Sequence, residues 1–179
     1  MLFENRTNRY TRRVTMDIPT LIIQALKFIF PAYCANAAPV LGGGGTPIDL
    51  GRNFVDGRRI FGANKTYRGF LFGLSIGVGV GVVDCIFFHF PWLFAVLTPL
   101  GALIGDLVGA FFKRRLNLAP GALLPVVDQV DFVLGALAFA LPLMIVSWEL
   151  AVVVLLITPP IHLFMNFLAY KAKLKRNPW

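Results

Sequence analysis

The chain has 179 residues, 57% of them hydrophobic and 15% charged, with mean hydropathy +0.72 and formal net charge +8. A soluble domain of this length rarely passes about half apolar. The composition therefore excludes an ordinary globular protein in water and requires a lipid solvent. Cys34 and Cys85 both lie in apolar runs, with no spacing for a disulfide framework or a zinc site, and read as buried small hydrophobes.

A helix needs about 20 apolar residues to cross a bilayer. The expected fold is an all-α integral membrane protein, a single domain over residues 1–179 with about five transmembrane helices. An arm, residues 1–17, carries Arg6, Arg9, Arg12 and Arg13, with Met16 as an alternative start. The first span is Ile18–Val40, interrupted by Lys27, Pro31, Asn36 and Pro39. Its length, and the lack of a small-residue cleavage site, argue against a signal peptide. Lys27 is expected to snorkel toward the interface. The later spans are Phe70–Phe90, Leu93–Phe112, Val130–Trp148 and Leu150–Leu168. Inside the last, Pro159-Pro160 precedes His162 and is expected to break or kink the helix.

The connections are unequal. His89–Trp92 and Ser147–Glu149 are short turns without Arg or Lys, whereas Gly42–Gly69 and Lys113–Gln129 are long and polar. The first long loop holds Arg52, Arg58, Arg59, Lys65 and Arg68; the second opens with Lys113, Arg114 and Arg115; the basic tail, residues 169–179, holds Lys171, Lys173, Lys175 and Arg176. Positive-inside bias places both loops and the C-terminus in the cytoplasm and the N-terminus outside, with the arginine-rich arm dissenting. Gly73, Gly77 and Gly81, then Gly101, Gly105 and Gly109, recur every four residues and stripe one helix face for close packing.

The chemistry concentrates in GRRIFGANKTYRG, residues 57–69, where glycines interleave with Arg58, Arg59, Asn64, Lys65 and Arg68. Positive-inside topology alone explains the basic tail, but not glycines beside Asn64-Lys65-Thr66. Asp106 lies seven residues before Lys113, about two turns and so roughly 10 Å deeper on the same helix face. Asp128 and Asp131 share a face at the start of the fourth span, where N-capping acids are the plain alternative. Topology brings all three carboxylates to the level of the basic loops. Such a set suits Mg²⁺, which takes oxygen ligands and keeps substrate phosphates among them. It points to metal-assisted phosphoryl or nucleotidyl transfer at the cytoplasmic face.

The stretches PAYCANAAPVL, GRRIFGANKTYRGFLFG, GDLVGAFFKRR and VVDQVDFVLGA together resemble the integral-membrane CTP:phospholipid cytidylyltransferases, in particular their short archaeal branch, the CDP-archaeol synthases. The resemblance spans about Pro31–Gly135. The bacterial relatives carry a serine before K-R and a D-R-x-D run; here Ala110 and Gln129 stand at the serine and arginine. The resemblance implies transfer of CMP from CTP to an isoprenoid ether-lipid phosphate, with Mg²⁺ as cofactor and no nucleic-acid partner. It assigns Asp106, Asp128 and Asp131 to the metal, and Lys65, Arg68 and Arg58 or Arg59 to phosphates. Lys113 and Arg114 would hold the triphosphate or the lipid phosphate. Gly62 would let the loop backbone near a phosphate, Thr66 would offer a hydroxyl, and Asn36 would reach cytosine or ribose unless it caps the helix end. Asp84 and His89 fall too far away to join. Two other classes compete. A CDP-alcohol phosphotransferase shares only the start of its motif with Asp56-Gly57-Arg58-Arg59, and a small transporter would show an internal repeat.

Overall fold

A computed structural model describes residues 17–118 and 127–174 of the chain. Its helices are α1 (Ile18–Ala37), α2 (Pro39–Gly42), α3 (Tyr67–Phe88), α4 (Phe94–Arg115), α5 (Val127–Ala140) and α6 (Trp148–Lys171), with a 3-10 turn at Leu141–Leu143. Four segments are long and apolar enough to cross a membrane: Ile18–Gly42, α3, α4 and α6. The fold is that of an all-helical multi-pass membrane protein.

Several boundaries differ from the sequence expectation, each for a local reason. The first span is two helices, because Pro39 starts a new one at α2. Pro31 does not interrupt α1. The fourth span was expected to run to Trp148, but α5 is 14 residues long and stops at Ala140. Pro142 lacks an N–H and disfavours helical geometry before it, and Met144 closes the turn in a left-handed conformation. α6 stays helical through Pro159 and Pro160, so the expected break is absent. α4 runs on to Arg115, placing Lys113, Arg114 and Arg115 in its last turn rather than in a loop. Cations there complement the helix dipole. Cys85 is buried, but Cys34 is only half-buried. The arginines of the arm, and Lys175 and Arg176, lie outside the described residues.

α4 sits at the centre and packs on α1, α3 and α5, while α6 closes against α1 and α5. Lipid tails give helices no hydrophobic reason to associate, so close van der Waals contact must do it. Both glycine stripes serve this. A Cβ at Gly77 would meet Pro99 and Ala35, and one at Gly81 would meet the Ala95 backbone. On α4, a Cβ at Gly101 would lie 2.4 Å from the Gly135 carbonyl oxygen, and one at Gly105 would lie 2.3 Å from that of Asp131. α4 and α5 thus run backbone to backbone and antiparallel. Fully buried Phe28, Phe94, Phe132, Ile29, Val133 and Val154 fill the remaining core.

This packing brings the start of α3, the end of α4 and the start of α5 to one end of the bundle. At the opposite end Lys27 rests its ammonium 4.2 Å from the centre of the Phe88 ring. Asp84 is buried there, and His89 ends α3 in a left-handed conformation, both away from the loop end as expected.

Candidate active site

The loop between α2 and α3 closes on itself before it presents anything. The Tyr67 N–H donates to the Thr46 carbonyl (3.1 Å) and the Ile48 N–H to the Lys65 carbonyl (2.8 Å). Pro47 and Thr66 thus form an antiparallel bridge at the loop's neck. The buried Thr66 caps α3, its hydroxyl oxygen accepting from the Gly69 N–H. Such a cap is worth about 0.5–2 kcal/mol. The cap fixes the Thr66 oxygen as an acceptor and leaves its O–H proton as a donor.

Inside the loop the organising group is Asp49, whose side chain has no exposed surface. Its carboxylate accepts from Arg59 Nε (3.1 Å) and Nη2 (2.5 Å). It also accepts the backbone N–H groups of Gly51 (3.1 Å), Phe61 (3.1 Å) and Gly62 (2.9 Å). Burial alone would push this carboxyl up. The Arg59 guanidinium and the three amides outweigh burial and hold it well below the usual carboxylate range. Arg59, expected to clamp phosphate, is thus half of a structural ion pair. Gly62 is needed for its backbone conformation (φ +106°), and its N–H is already taken.

The loop then docks on the end of α4. Arg115 donates to the carbonyls of Arg58 (3.3 Å) and Arg59 (2.6 Å) and pairs with Asp56 at 2.6 Å. In return Arg58 donates to the carbonyls of Arg114 (3.3 Å) and Arg115. Phe54 meets Phe111 edge-on, and Arg115 stacks over both rings. Beside this junction lies an open cleft of about 430 Å³, lined by Arg58, Arg59, Gly62, Ala63, Arg114 and Asn117 among others. Asn64 and Arg68 are exposed nearby in sequence, and Asn36 is half-buried in the last turn of α1.

Deeper in the bundle lie the membrane carboxylates. Lys65 Nζ is 2.5 Å from Asp106 Oδ2, joining the loop to the middle of α4. Lys113 Nζ is 2.5 Å from Asp128 Oδ1, joining the end of α4 to the first turn of α5. Asp131 lies one turn further along α5. Its Oδ1 accepts from the Phe132 N–H, and its Oδ2 lies where a Cβ on Gly109 would be (1.9 Å). It is within electrostatic reach of Asp106, Lys65 and Asp128. The structure therefore gathers Asp106, Asp128, Asp131, Lys65 and Lys113 from three separate elements. Among the described residues no three carboxylates, histidines or cysteines stand close enough to hold an ion unaided. The donor set still fits a hard divalent ion that keeps water and phosphate oxygens as further ligands.

The residues that sequence reasoning missed are Asp49, Asp56 and Arg115. Their only sequence signal was an acid or a base near loop glycines and arginines, which says nothing about who pairs with whom.

Comparison with known proteins gives a consistent answer. The CarS-like family, described as CDP-archaeol synthase, matches residues 18–179. The CDP-archaeol synthase of Pyrococcus furiosus is 48% identical over 164 residues, spanning 88% of this chain and 98% of its own. That of Methanocaldococcus jannaschii is 41% identical over 173 residues, spanning 89% and 98%. A solved structure of an intramembrane enzyme for archaeal membrane lipid biosynthesis aligns with a TM-score of 0.74 at 40% identity, covering 81% of this chain and 94% of that one.

Proposed function

The chain belongs to the CDP-archaeol synthase family, and from that premise we propose how its own residues run the reaction. It is a membrane enzyme, a CTP-dependent cytidylyltransferase that forms CDP-archaeol in archaeal ether-lipid synthesis. One observation carries the assignment of roles. The loop before α3, the second half of α4 and the start of α5 bring two lysine–aspartate pairs and Asp131 together in the same half of the bundle.

The acceptor is 2,3-di-O-geranylgeranylglyceryl phosphate. Its monoester phosphate has a second pKa near 6 and is ionised at neutral pH, so no general base is required. A phosphate oxygen attacks the α-phosphorus of CTP, a P–O bond forms, the α–β bridging P–O bond breaks, and pyrophosphate leaves. The obstacle is repulsion between two polyanions. Lys65 and Lys113 sit where they can exchange their aspartate partners for phosphate oxygens and neutralise charge on the leaving group. The starts of α3 and α5 add the positive ends of two helix dipoles. Arg58 and Arg59 contribute by shaping the loop, and Arg114 and Arg68 would serve as cations for the triphosphate. Asn36, in the last turn of α1, would reach the base or ribose.

Asp106, Asp131 and Asp128 would hold a divalent cation, Mg²⁺ by the hardness of the donors, and such an ion supplies phosphate alignment and charge neutralisation. The bias of Arg and Lys toward the loop end supports a cytoplasm-facing site, with the C-terminus inside and the N-terminus outside. The lipid phosphate cannot rise far into water without exposing its chains. A site about two turns inside α4 from Lys113 suits that boundary.

The test is pyrophosphate release from CTP by purified protein in bilayers, with and without the unsaturated lipid phosphate, under Mg²⁺ or Mn²⁺. Release that depends on both the lipid and the metal is expected. Equal release without the lipid phosphate would remove it as acceptor.

A further inference from the structure

Lys65 owes its position to the backbone around it. Its carbonyl accepts from the Ile48 N–H at 2.8 Å, and its N–H donates to the Gly62 carbonyl at 3.3 Å. Both partners lead back to one residue. Ile48 is the chain neighbour of Asp49, and the Gly62 N–H donates to Asp49 Oδ2 at 2.9 Å. Asp49 therefore closes a ring of contacts, Asp49–Gly62–Lys65–Ile48, whose output is the Lys65 ammonium 2.5 Å from Asp106. The ring is rigid because the Asp49 side chain is wholly buried and accepts five donors, two of them from Arg59. A carboxylate has about four lone-pair sites, so this one has no capacity left for a metal or substrate.

We propose that Asp49 is a positioning residue for Lys65: it never touches CTP, but fixes the loop so that the ammonium reaches the reacting phosphates. The proposal rests on the role given above to Lys65. Asp49→Asn keeps the size and one acceptor oxygen, but loses the charge that gathers Arg59 and the amides. With the neck bridge between Pro47 and Thr66 intact, the loop remains attached while Lys65 swings on a looser base. Hydrogen bonds to a charged group are worth enough that losing them should raise KM for CTP about tenfold or more. KM for the lipid phosphate should barely move. Arg59→Lys keeps a cation beside Asp49 and leaves the Gly62 bond intact, so it should cost less than Asp49→Asn.

A double-mutant cycle decides it. Steady-state kinetics are measured in nanodiscs for wild type, Asp49→Asn, Lys65→Ala and the double variant, with thermal midpoints to confirm that each is folded. If Asp49 acts through Lys65, the double variant is no worse toward CTP than Lys65→Ala alone. Multiplying losses in folded protein would overturn the proposal and leave Asp49 a general loop support. Should Lys65→Ala alone leave CTP use unchanged, the role of Lys65 itself fails, and that outcome is separate from the first. If Asp49→Asn does not fold, the Arg59→Lys variant carries the cycle in its place. An Arg59→Lys loss toward CTP that persists in full on the Lys65→Ala background would overturn the proposal in the same way.

Discussion

Asp49 in the loop and Asp131 on α5 are the same side chain in contrasting surroundings. Asp49 is enclosed, and every lone pair it owns is spent on Arg59 and the amides of Gly51, Phe61 and Gly62. Among the described residues Asp131 accepts its neighbour's N–H, rests one oxygen against the bare backbone of Gly109, and shares its surroundings with Asp106, Lys65 and Asp128. Asp106 and Asp128 each face a lysine on a flexible stem. A saturated carboxylate makes structure. An under-committed one, at a depth where charge is costly, is available for chemistry.

The contrast breaks most sharply at Asp131. Asp131→Asn removes the charge but keeps an acceptor for the Phe132 N–H, so turnover should fall about 10²- to 10³-fold, the scale for losing one key electrostatic group. The protein should still insert and give an unchanged thermal midpoint. Pyrophosphate release near the wild-type rate would leave Asp131 only a local acceptor for the Phe132 N–H.

A second test leaves every polar group in place. Gly109→Ala puts a methyl 1.9 Å from Asp131 Oδ2 and 2.8 Å from its Cγ, so the carboxylate must move. A loss approaching that of Asp131→Asn is expected. Gly79 has nothing within 4 Å of its would-be Cβ, so Gly79→Ala should cost no activity. Mn²⁺ binding followed by electron paramagnetic resonance should weaken in Gly109→Ala alone; equal binding in the two variants would detach Gly109 from the metal.

A smaller effect is expected at Lys65. Lys65→Ala should weaken use of CTP by about tenfold, while Lys65→Arg recovers only part, because a planar guanidinium does not replace a compact ammonium. Matching CTP kinetics for wild type and both variants would move the phosphate contact elsewhere.

The smallest effect concerns pH and touches only Asp49. Its folded pKa lies below the unfolded value near 3.9. Its stabilisation is therefore complete above about pH 4 and is lost as the pH falls toward the folded pKa. The gap in thermal midpoint between wild type and Asp49→Asn should hold from pH 7 to 5 and narrow below about 4. A gap that widens on acidification would reverse the sign argued here.

Much of this site was legible before the fold. Alternating spans and positive-inside bias sufficed to put Lys65, Lys113, Asp106, Asp128 and Asp131 at one end, because topology depends on composition summed over whole segments. Pairing inside the loop was not legible. Asp49 and Arg59 meet because the chain turns back through Gly51, Gly57 and Gly62 at positive φ. A row of glycines announces such turns without saying where they lead. The structural contacts of Arg58 and Arg59 were equally hidden, since a sequence displays a charge but not its partner. The fourth span was overextended for a simpler reason: apolar residues continue to Trp148, but Pro142 stops the helix first.

The arginine-lined cleft beside Gly62 has a consequence for traffic rather than chemistry. Arg58, Arg59 and Arg114 border one open mouth on a chain of net charge +8. A concave surface of one sign focuses its field and gathers counter-ions, which raises the arrival rate of a polyanion by about 10- to 10³-fold. That reach extends only about 8 Å at physiological ionic strength and shrinks further as salt is added. A polyanion is thus drawn toward the cleft over the last few ångströms in part by Arg58 and Arg59, which also hold the loop together. Salt therefore acts on how often a nucleotide arrives rather than on the turnover of a bound one.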